Sequence, residues 1–139
     1  MKYKITRKPP ESKEQALSDA VRYLENAKET LAKSPIEHNR YQDTKYVHEG
    51  SGIAYIAALK AIDGWLVQKG NWTKENTNSI EGYMKAIKSH PQSKKLNDYL
   101  NIVYDDLHLY GYYNGGSGKE AIKEGLSNVQ YIIELIEKT

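Results

Sequence analysis

The sequence contains no cysteine, which excludes disulfide bonds, thiolate zinc sites and a cysteine nucleophile. It also lacks any run of about 18 apolar residues, the length that a membrane-spanning helix needs. The basic start of the chain is not followed by an apolar segment, so a signal peptide is not expected. These absences predict a cytoplasmic protein that does not enter the membrane.

Phenylalanine is absent too, whereas the chain has twelve tyrosines and two tryptophans. Tyrosine must therefore serve as the main aromatic residue of core and surface, and buried copies need hydrogen-bond partners for their hydroxyls. The formal net charge is only +2, which does not favour non-specific binding of nucleic acid. A chain of 139 residues with 39% apolar and 27% charged residues suits one globular domain with one core.

Apolar residues recur every three or four positions over most of the chain, which predicts amphipathic helices. No segment shows the alternation and hairpin turn of a strand pair. Because the links between helices are short, the sequence predicts an all-α fold: an antiparallel up-and-down bundle of four to five helices in a single domain, residues 12–139. An extended arm is expected at residues 1–11. The helices are expected at 13–33, 40–69, a short segment ending at 88, 93–111 and 118–138.

The second predicted helix is central to the bundle, because apolar residues cover most of its circumference between Ile53 and Val67. Its small residues Gly50, Ser51 and Gly52 are interpreted as a point of close helix packing or of flexibility in the helix. They also resemble the nucleophile elbow Gly-x-Ser-x-Gly, but the strand that precedes such an elbow is missing and a glutamate replaces its first glycine. The charged residues of the helix fall on one stripe: Lys45, Glu49, Lys60 and Asp63.

The stretch "YGYYNGGSGKE", residues 110–120, partly matches a phosphate-binding loop. Tyr113 occupies the position of the required first glycine, Glu120 replaces the required hydroxyl, and a helix rather than a strand precedes the stretch. We therefore interpret it as a turn between helices, in which Ser117 and Glu120 form a capping box. A weaker alternative is an anion site at Ser117 and Lys119, where amides at the start of a helix are free.

The candidate catalytic residues are Asp105 and His108, which are three residues apart on the fourth predicted helix. An ordinary exposed polar face is the favoured interpretation of this pair, since charged residues normally lie outside. The four histidines do not have the spacing of a helical zinc site, so neither a metal nor a cofactor is expected. Tyrosines of the same region could stack nucleobases, but packing or protein contacts are favoured for them: Tyr104, Tyr110, Tyr112 and Tyr113.

Four segments in order resemble the helices of a HEPN-type domain, a small bacterial and archaeal helical bundle. They are "ALSDAVRYLENAKETL", "YQDTKYVHEGSGIAYIAALKAIDGWLVQKG", "YLNIVYDDLHLYGYY" and "GKEAIKEGLSNVQYIIELIEK", and the likeness spans residues 14–137. It implies a bundle of four or five helices that is commonly a homodimer. Ribonuclease members carry an arginine, four to six residues and a histidine near the end of the penultimate helix. The corresponding stretch here, residues 105–113, has no arginine, and His108 lies where that arginine is expected.

The resemblance and the missing arginine together favour a non-catalytic interaction module whose partner is a second copy or another protein. One alternative is a metal-independent endoribonuclease that uses His108 as acid or base. The other is a nucleotide-binding companion of a nucleotidyltransferase, which would use Ser117 and Lys119.

Overall fold

The structure is a computed structural model that describes residues 7–91 and 93–139. Five α-helices pack together, so the predicted all-α bundle is confirmed. A two-stranded antiparallel hairpin is the only sheet in the described residues. The first six residues of the predicted arm lie outside the described residues. The elements are α1 Lys13–Leu31, β1 Ile36–Glu37, β2 Arg40–Tyr41, α2 Thr44–Gln68, α3 Ile80–Lys88, α4 Lys94–Val103, a π-helix Tyr104–Tyr113 and α5 Lys119–Glu137.

Helix α2 lies at the centre of the bundle and contacts α1, α4, α5 and the π-helix. Its alanines at 54, 57, 58 and 61 are fully buried, which allows neighbouring helices to come close. At Gly64 helix α1 approaches closely, because an added Cβ would lie 2.6 Å from the Cβ of Ala16. Larger side chains such as Leu24 and Ile132 fill the remaining core. Full burial of such a side chain stabilises the fold by about 1.5–3 kcal/mol.

The helix starts were predicted with mixed success. At α1 the expected start at residue 13 is confirmed, and the Ser12 hydroxyl caps the helix by accepting a hydrogen bond of 3.0 Å from the amide of Gln15. Thr73 lies in the polar link before α3 but does not cap that helix. Its hydroxyl accepts from Asn76 in a separate turn, at 3.0 Å, and Ser79 caps the helix through the amide of Gly82.

The hairpin β1–β2 was not predicted, and it makes α2 start at Thr44 instead of residue 40. His38 and Asn39 form its turn with φ values of 53° and 60°, the left-handed geometry that suits a two-residue hairpin. The amide of Tyr41 donates to the carbonyl of Ser117 at 2.8 Å, and the amide of Lys119 donates to the carbonyl of Asn39 at 2.9 Å. The hairpin thereby fixes the start of α5.

Candidate functional site

The π-helix continues directly from α4 and lies against the first half of α2. Its Gly111 is buried so close to Ser51 that an added Cβ would overlap the serine side chain. On either side of Ser51, an added Cβ at Gly50 would meet Leu31 and one at Gly52 would lie 2.8 Å from the Tyr112 ring. The prediction of close packing at residues 50–52 is confirmed. π-helical segments are rare and often lie at functional sites.

An aromatic stack runs along the face of the π-helix that meets α2. His108 lies between two tyrosines, 5.1 Å from the ring of Tyr104 and 5.7 Å from that of Tyr112. From α2, the ring of Tyr55 lies 4.6 Å from the His108 ring. Burial raises the pKa of Tyr55 to about 12, so its hydroxyl stays protonated at neutral pH. The stack is a rigid, largely apolar surface with a histidine at its middle.

Beside this stack lies an open groove of about 400 Å³ between α2 and the π-helix. Both His48 and His108 line it, together with Glu49. Nδ1 of His48 is hydrogen-bonded to the carbonyl oxygen of Tyr112, which ties the end of the π-helix to α2. The lining residues are His48, Glu49, Gly52, Ile53, Tyr55, Ile56, His108 and Tyr112. No lysine or arginine is among these lining residues, so this groove offers little attraction to a phosphate backbone.

The predicted pair of Asp105 and His108 does not form a joint site in the described structure. His108 lines the groove, whereas Asp105 is exposed and is not part of the lining. The groove residue that the sequence did not reveal is His48. It lies on α2, and only tertiary packing brings it to the same groove as His108. Its position before the small residues Gly50 to Gly52 was the one available signal.

The turn before α5 differs from the prediction. Gly118, not Ser117, is the N-cap of α5, and no side-chain capping bond forms there. The Ser117 hydroxyl accepts a hydrogen bond of 3.2 Å from Arg40. The amide of Gly118 donates to the Tyr110 hydroxyl at 2.8 Å. Because the amide of Lys119 is also engaged by the hairpin, fewer free amides remain for an anion than the weaker alternative assumed.

A second polar cluster is centred on Asp63, near the other end of α2. Its carboxylate accepts hydrogen bonds from the Tyr83 hydroxyl at 2.8 Å and from the Trp72 indole at 3.3 Å. The guanidinium of Arg7 lies 3.6 Å away and also donates to the carbonyl of Thr77. Burial raises the pKa of Asp63, and these partners only partly offset that effect. The cluster joins the N-terminal segment to α2 and α3.

A groove of about 390 Å³ adjoins the Asp63 cluster and shares Tyr55 and Ile56 with the first groove. Its other lining residues include Leu59, Lys60 and Arg7. The two grooves therefore adjoin each other at Tyr55 and Ile56 of α2.

A domain family of unknown function (DUF5618) matches residues 15–138 of the chain. The chain belongs to this family. A solved structure described as a protein of unknown function from Dyadobacter fermentans is 33% identical, with a TM-score of 0.77. The match covers 91% of this chain and 98% of the other. No curated protein matches the chain. The π-helix, both grooves and the Asp63 cluster all lie on or against the DUF5618 domain.

In the part of the chain that is described, no group of three or more histidine, aspartate and glutamate side chains is placed to hold a metal ion. None of the helices described there combines the length and apolar character needed to cross a membrane.

Asp106 lies on the π-helix near the site, and its side chain is partly buried. Its Oδ2 is buried without a hydrogen-bond partner among the described residues. Burial, followed by the charges of Glu124 and Asp105, raises the pKa of Asp106 to about 6. Since an unfolded aspartate titrates near 3.9, the native state binds the proton more tightly than the unfolded state does. The ionised carboxylate therefore costs stability at neutral pH.

Replacement of Asp106 by asparagine is expected to raise the free energy of unfolding at pH 7, by an amount on the order of 1 kcal/mol after discounting for solvent screening. The unmodified chain should lose stability as the pH rises from about 4 to about 6, and this slope should be smaller in Asp106→Asn. Urea denaturation at several pH values measures both effects. Asp98→Asn, which removes an exposed partner of Lys94 at 2.8 Å, is the control and should change stability by less than about 0.5 kcal/mol.

Proposed function

We propose that this chain is a non-catalytic interaction module of HEPN-like type, with a single domain over residues 12–139, and that it acts as a homodimer in the cytoplasm. The observation that carries the proposal is a patch of exposed large apolar side chains beside the first groove. Ile56 is 45% exposed and Tyr112 48%, and both line that groove. Tyr113, which is 74% exposed, and the exposed Leu109 lie on the same π-helix as Tyr112. The order and helical character of the HEPN-like segments also support it.

This patch differs from the other exposed apolar side chains of the described residues. Val21, Ile36 and Tyr131 are exposed as well, but they lie on three different elements, α1, β1 and α5. Isolated exposed apolar residues are normal, whereas a contiguous patch marks an interaction surface. Tyrosine is enriched at protein interfaces, and charged residues are depleted from their centres. The absence of lysine and arginine from the groove lining fits a protein partner better than a nucleic acid.

Replacement of Ile56 by glutamate is expected to dissociate the dimer, because a charge would have to be buried at the centre of the interface. Light scattering should give a mass near 15.9 kDa for the variant and twice that mass for the unmodified chain. Val21→Glu is the matched control, since Val21 is also 45% exposed and also lies in a helix. It should leave the dimer intact. An unmodified chain that stays monomeric at high concentration would contradict the proposal.

A second candidate function is a metal-independent ribonuclease, and the observation that favours it is that two histidines line one groove. One imidazole could remove a proton from a ribose hydroxyl while the other protonates the leaving oxygen. Under this alternative the pure protein cleaves mixed RNA, and both His48→Ala and His108→Ala abolish the cleavage. His38→Asn is the control, because asparagine tolerates the left-handed φ of 53° at that turn. Intact RNA after incubation with the unmodified chain would exclude this function.

A further inference from the structure

The exposed face of α2 carries a charge of each sign at equal distances from an apolar centre. Glu49 and Lys60 are eleven residues apart, about three helical turns, so they lie on the same face. The point midway between them falls between Ala54 and Tyr55. Ile53 and Ile56 are the apolar side chains around that point, and both are accessible.

Neither of these two charges has an ion-pair partner among the described residues. The ammonium of Lys60 lies 4.7 Å from the centre of the Tyr23 ring and forms no ion pair within 4 Å in the described structure, although its charge is attracted to Asp63 over a longer distance. Glu49 is exposed at the rim of the first groove. Asp63, farther along the same stripe, is different because it is held internally by Tyr83 and Trp72. Glu49 and Lys60 thus remain available to a partner, as does the exposed Lys45 at the start of the same stripe.

We propose that two copies of this chain pack α2 against α2 in antiparallel orientation, about a two-fold axis near residues 54 and 55, so that Glu49 of each copy faces Lys60 of the other. This rests on the proposed homodimer and specifies its interface. In a two-fold interface, contact of residue i with residue j implies contact of j with i. One Glu49–Lys60 contact therefore generates a second one on the other side of the axis.

The charges also select the orientation. With the two α2 helices parallel, Glu49 would face Glu49 and Lys60 would face Lys60, and both contacts would be repulsive. Antiparallel packing converts both contacts into attractive pairs at the rim of an apolar centre formed by Ile53 and Ile56. Such complementarity fixes the register of an interface and suppresses wrong arrangements. The two grooves adjoin at Tyr55 and Ile56, which places accessible apolar surface at the centre of this interface.

The test is a charge exchange between copies. Glu49→Lys alone and Lys60→Glu alone each turn two attractive contacts into two repulsive ones, and each should raise the dimer dissociation constant at least about tenfold. An equimolar mixture of the two variants should recover a dimer, because Lys60 and the new lysine of one copy then face two glutamates of the other. Native mass spectrometry with one variant labelled with ¹⁵N distinguishes this mixed dimer from self-dimers.

Glu29→Lys, a reversal at an exposed position on α1, is the control and should neither weaken the dimer nor pair selectively with Lys60→Glu. The selectivity of the mixture should also decrease at 1 M salt, where charges are screened beyond about 3 Å. Recovery in the mixture cannot come from unfolding, so it supports the interface directly. If the unmodified chain is a dimer and both single reversals dimerise as well as it does, the antiparallel interface is wrong while the homodimer stands. A monomeric unmodified chain would overturn both.

Discussion

Alanine at position 111 is expected to lower the free energy of unfolding by about 2–3 kcal/mol, although alanine is otherwise the better helix former by about 1 kcal/mol. The reason is that Gly111 is buried against Ser51, and an added Cβ would overlap the serine side chain and lie 3.0 Å from Ile122. Both neighbours belong to long helices of the core, so relief requires the π-helix to move away from α2. Urea denaturation at one fixed protein concentration measures the loss, since dimerisation would make stability depend on concentration.

The same substitution at Gly52 provides the matched control. There the added Cβ would also be close, at 2.8 Å, but its neighbour is the ring edge of Tyr112, a half-exposed side chain that can rotate away. Gly52→Ala should therefore cost less than about 1 kcal/mol. Adding Ser51→Gly to Gly111→Ala should recover part of the loss, because it removes the overlapping atoms. If both alanine variants are equally stable, close packing between α2 and the π-helix does not limit stability.

The sequence correctly predicted those helices whose own residues show a clear apolar periodicity. Helix α1 was expected at 13–33 and lies at Lys13–Leu31, and α5 was expected at 118–138 and lies at Lys119–Glu137. In both, an apolar stripe with helical spacing faces the core. Each helix contains enough of these buried residues for the periodicity to be visible in its own sequence. Such a signal is local, so a single sequence is sufficient.

The π-helix and the hairpin depend on contacts that a single sequence does not display. The π-helical hydrogen bond from the amide of Asn114 to the carbonyl of Leu109 needs a wider turn, and apolar spacing of three or four does not distinguish it from an α-helix. Each hairpin strand has only two residues, too few for an alternating pattern. The bond between Tyr41 and Ser117 joins distant parts of the chain. It also explains why Ser117 does not cap α5.

The candidate site was predicted only in part for the same reason. His108 and Tyr112 were identified from the penultimate helix, where the HEPN resemblance drew attention. His48 was not singled out, because the histidines lack the spacing of a helical metal site and nothing else in the sequence around it indicated a function. The structure joins them because Gly52 lets the Tyr112 ring approach α2, so that the Tyr112 carbonyl reaches the His48 ring. A site to which two helices contribute residues cannot be predicted from the residue spacing within either helix.

Replacement of Asp63 by alanine is expected to lower the free energy of unfolding by about 3 kcal/mol. The Asp63 side chain is only 15% exposed, its carboxylate accepts from the Tyr83 hydroxyl and the Trp72 indole, and the Arg7 guanidinium lies 3.6 Å away. Without it, the hydroxyl and the indole lose their acceptor, and a half-buried guanidinium loses its counter-charge. Urea denaturation measures the loss, and tryptophan fluorescence should show Trp72 in a more polar environment.

Asparagine at position 63 separates the charge of the carboxylate from its role as a hydrogen-bond acceptor. Because burial raises the pKa of Asp63 despite its partners, the charge itself contributes little net stability in the folded state. Asp63→Asn retains an acceptor oxygen and should therefore cost only about 1 kcal/mol, well below the alanine variant. Asp19→Ala, which removes an exposed partner 3.4 Å from Arg22, should change stability by less than about 0.5 kcal/mol. If Asp63→Asn is as destabilising as Asp63→Ala, the ion pair with Arg7, rather than the two neutral donors, stabilises this end of α2.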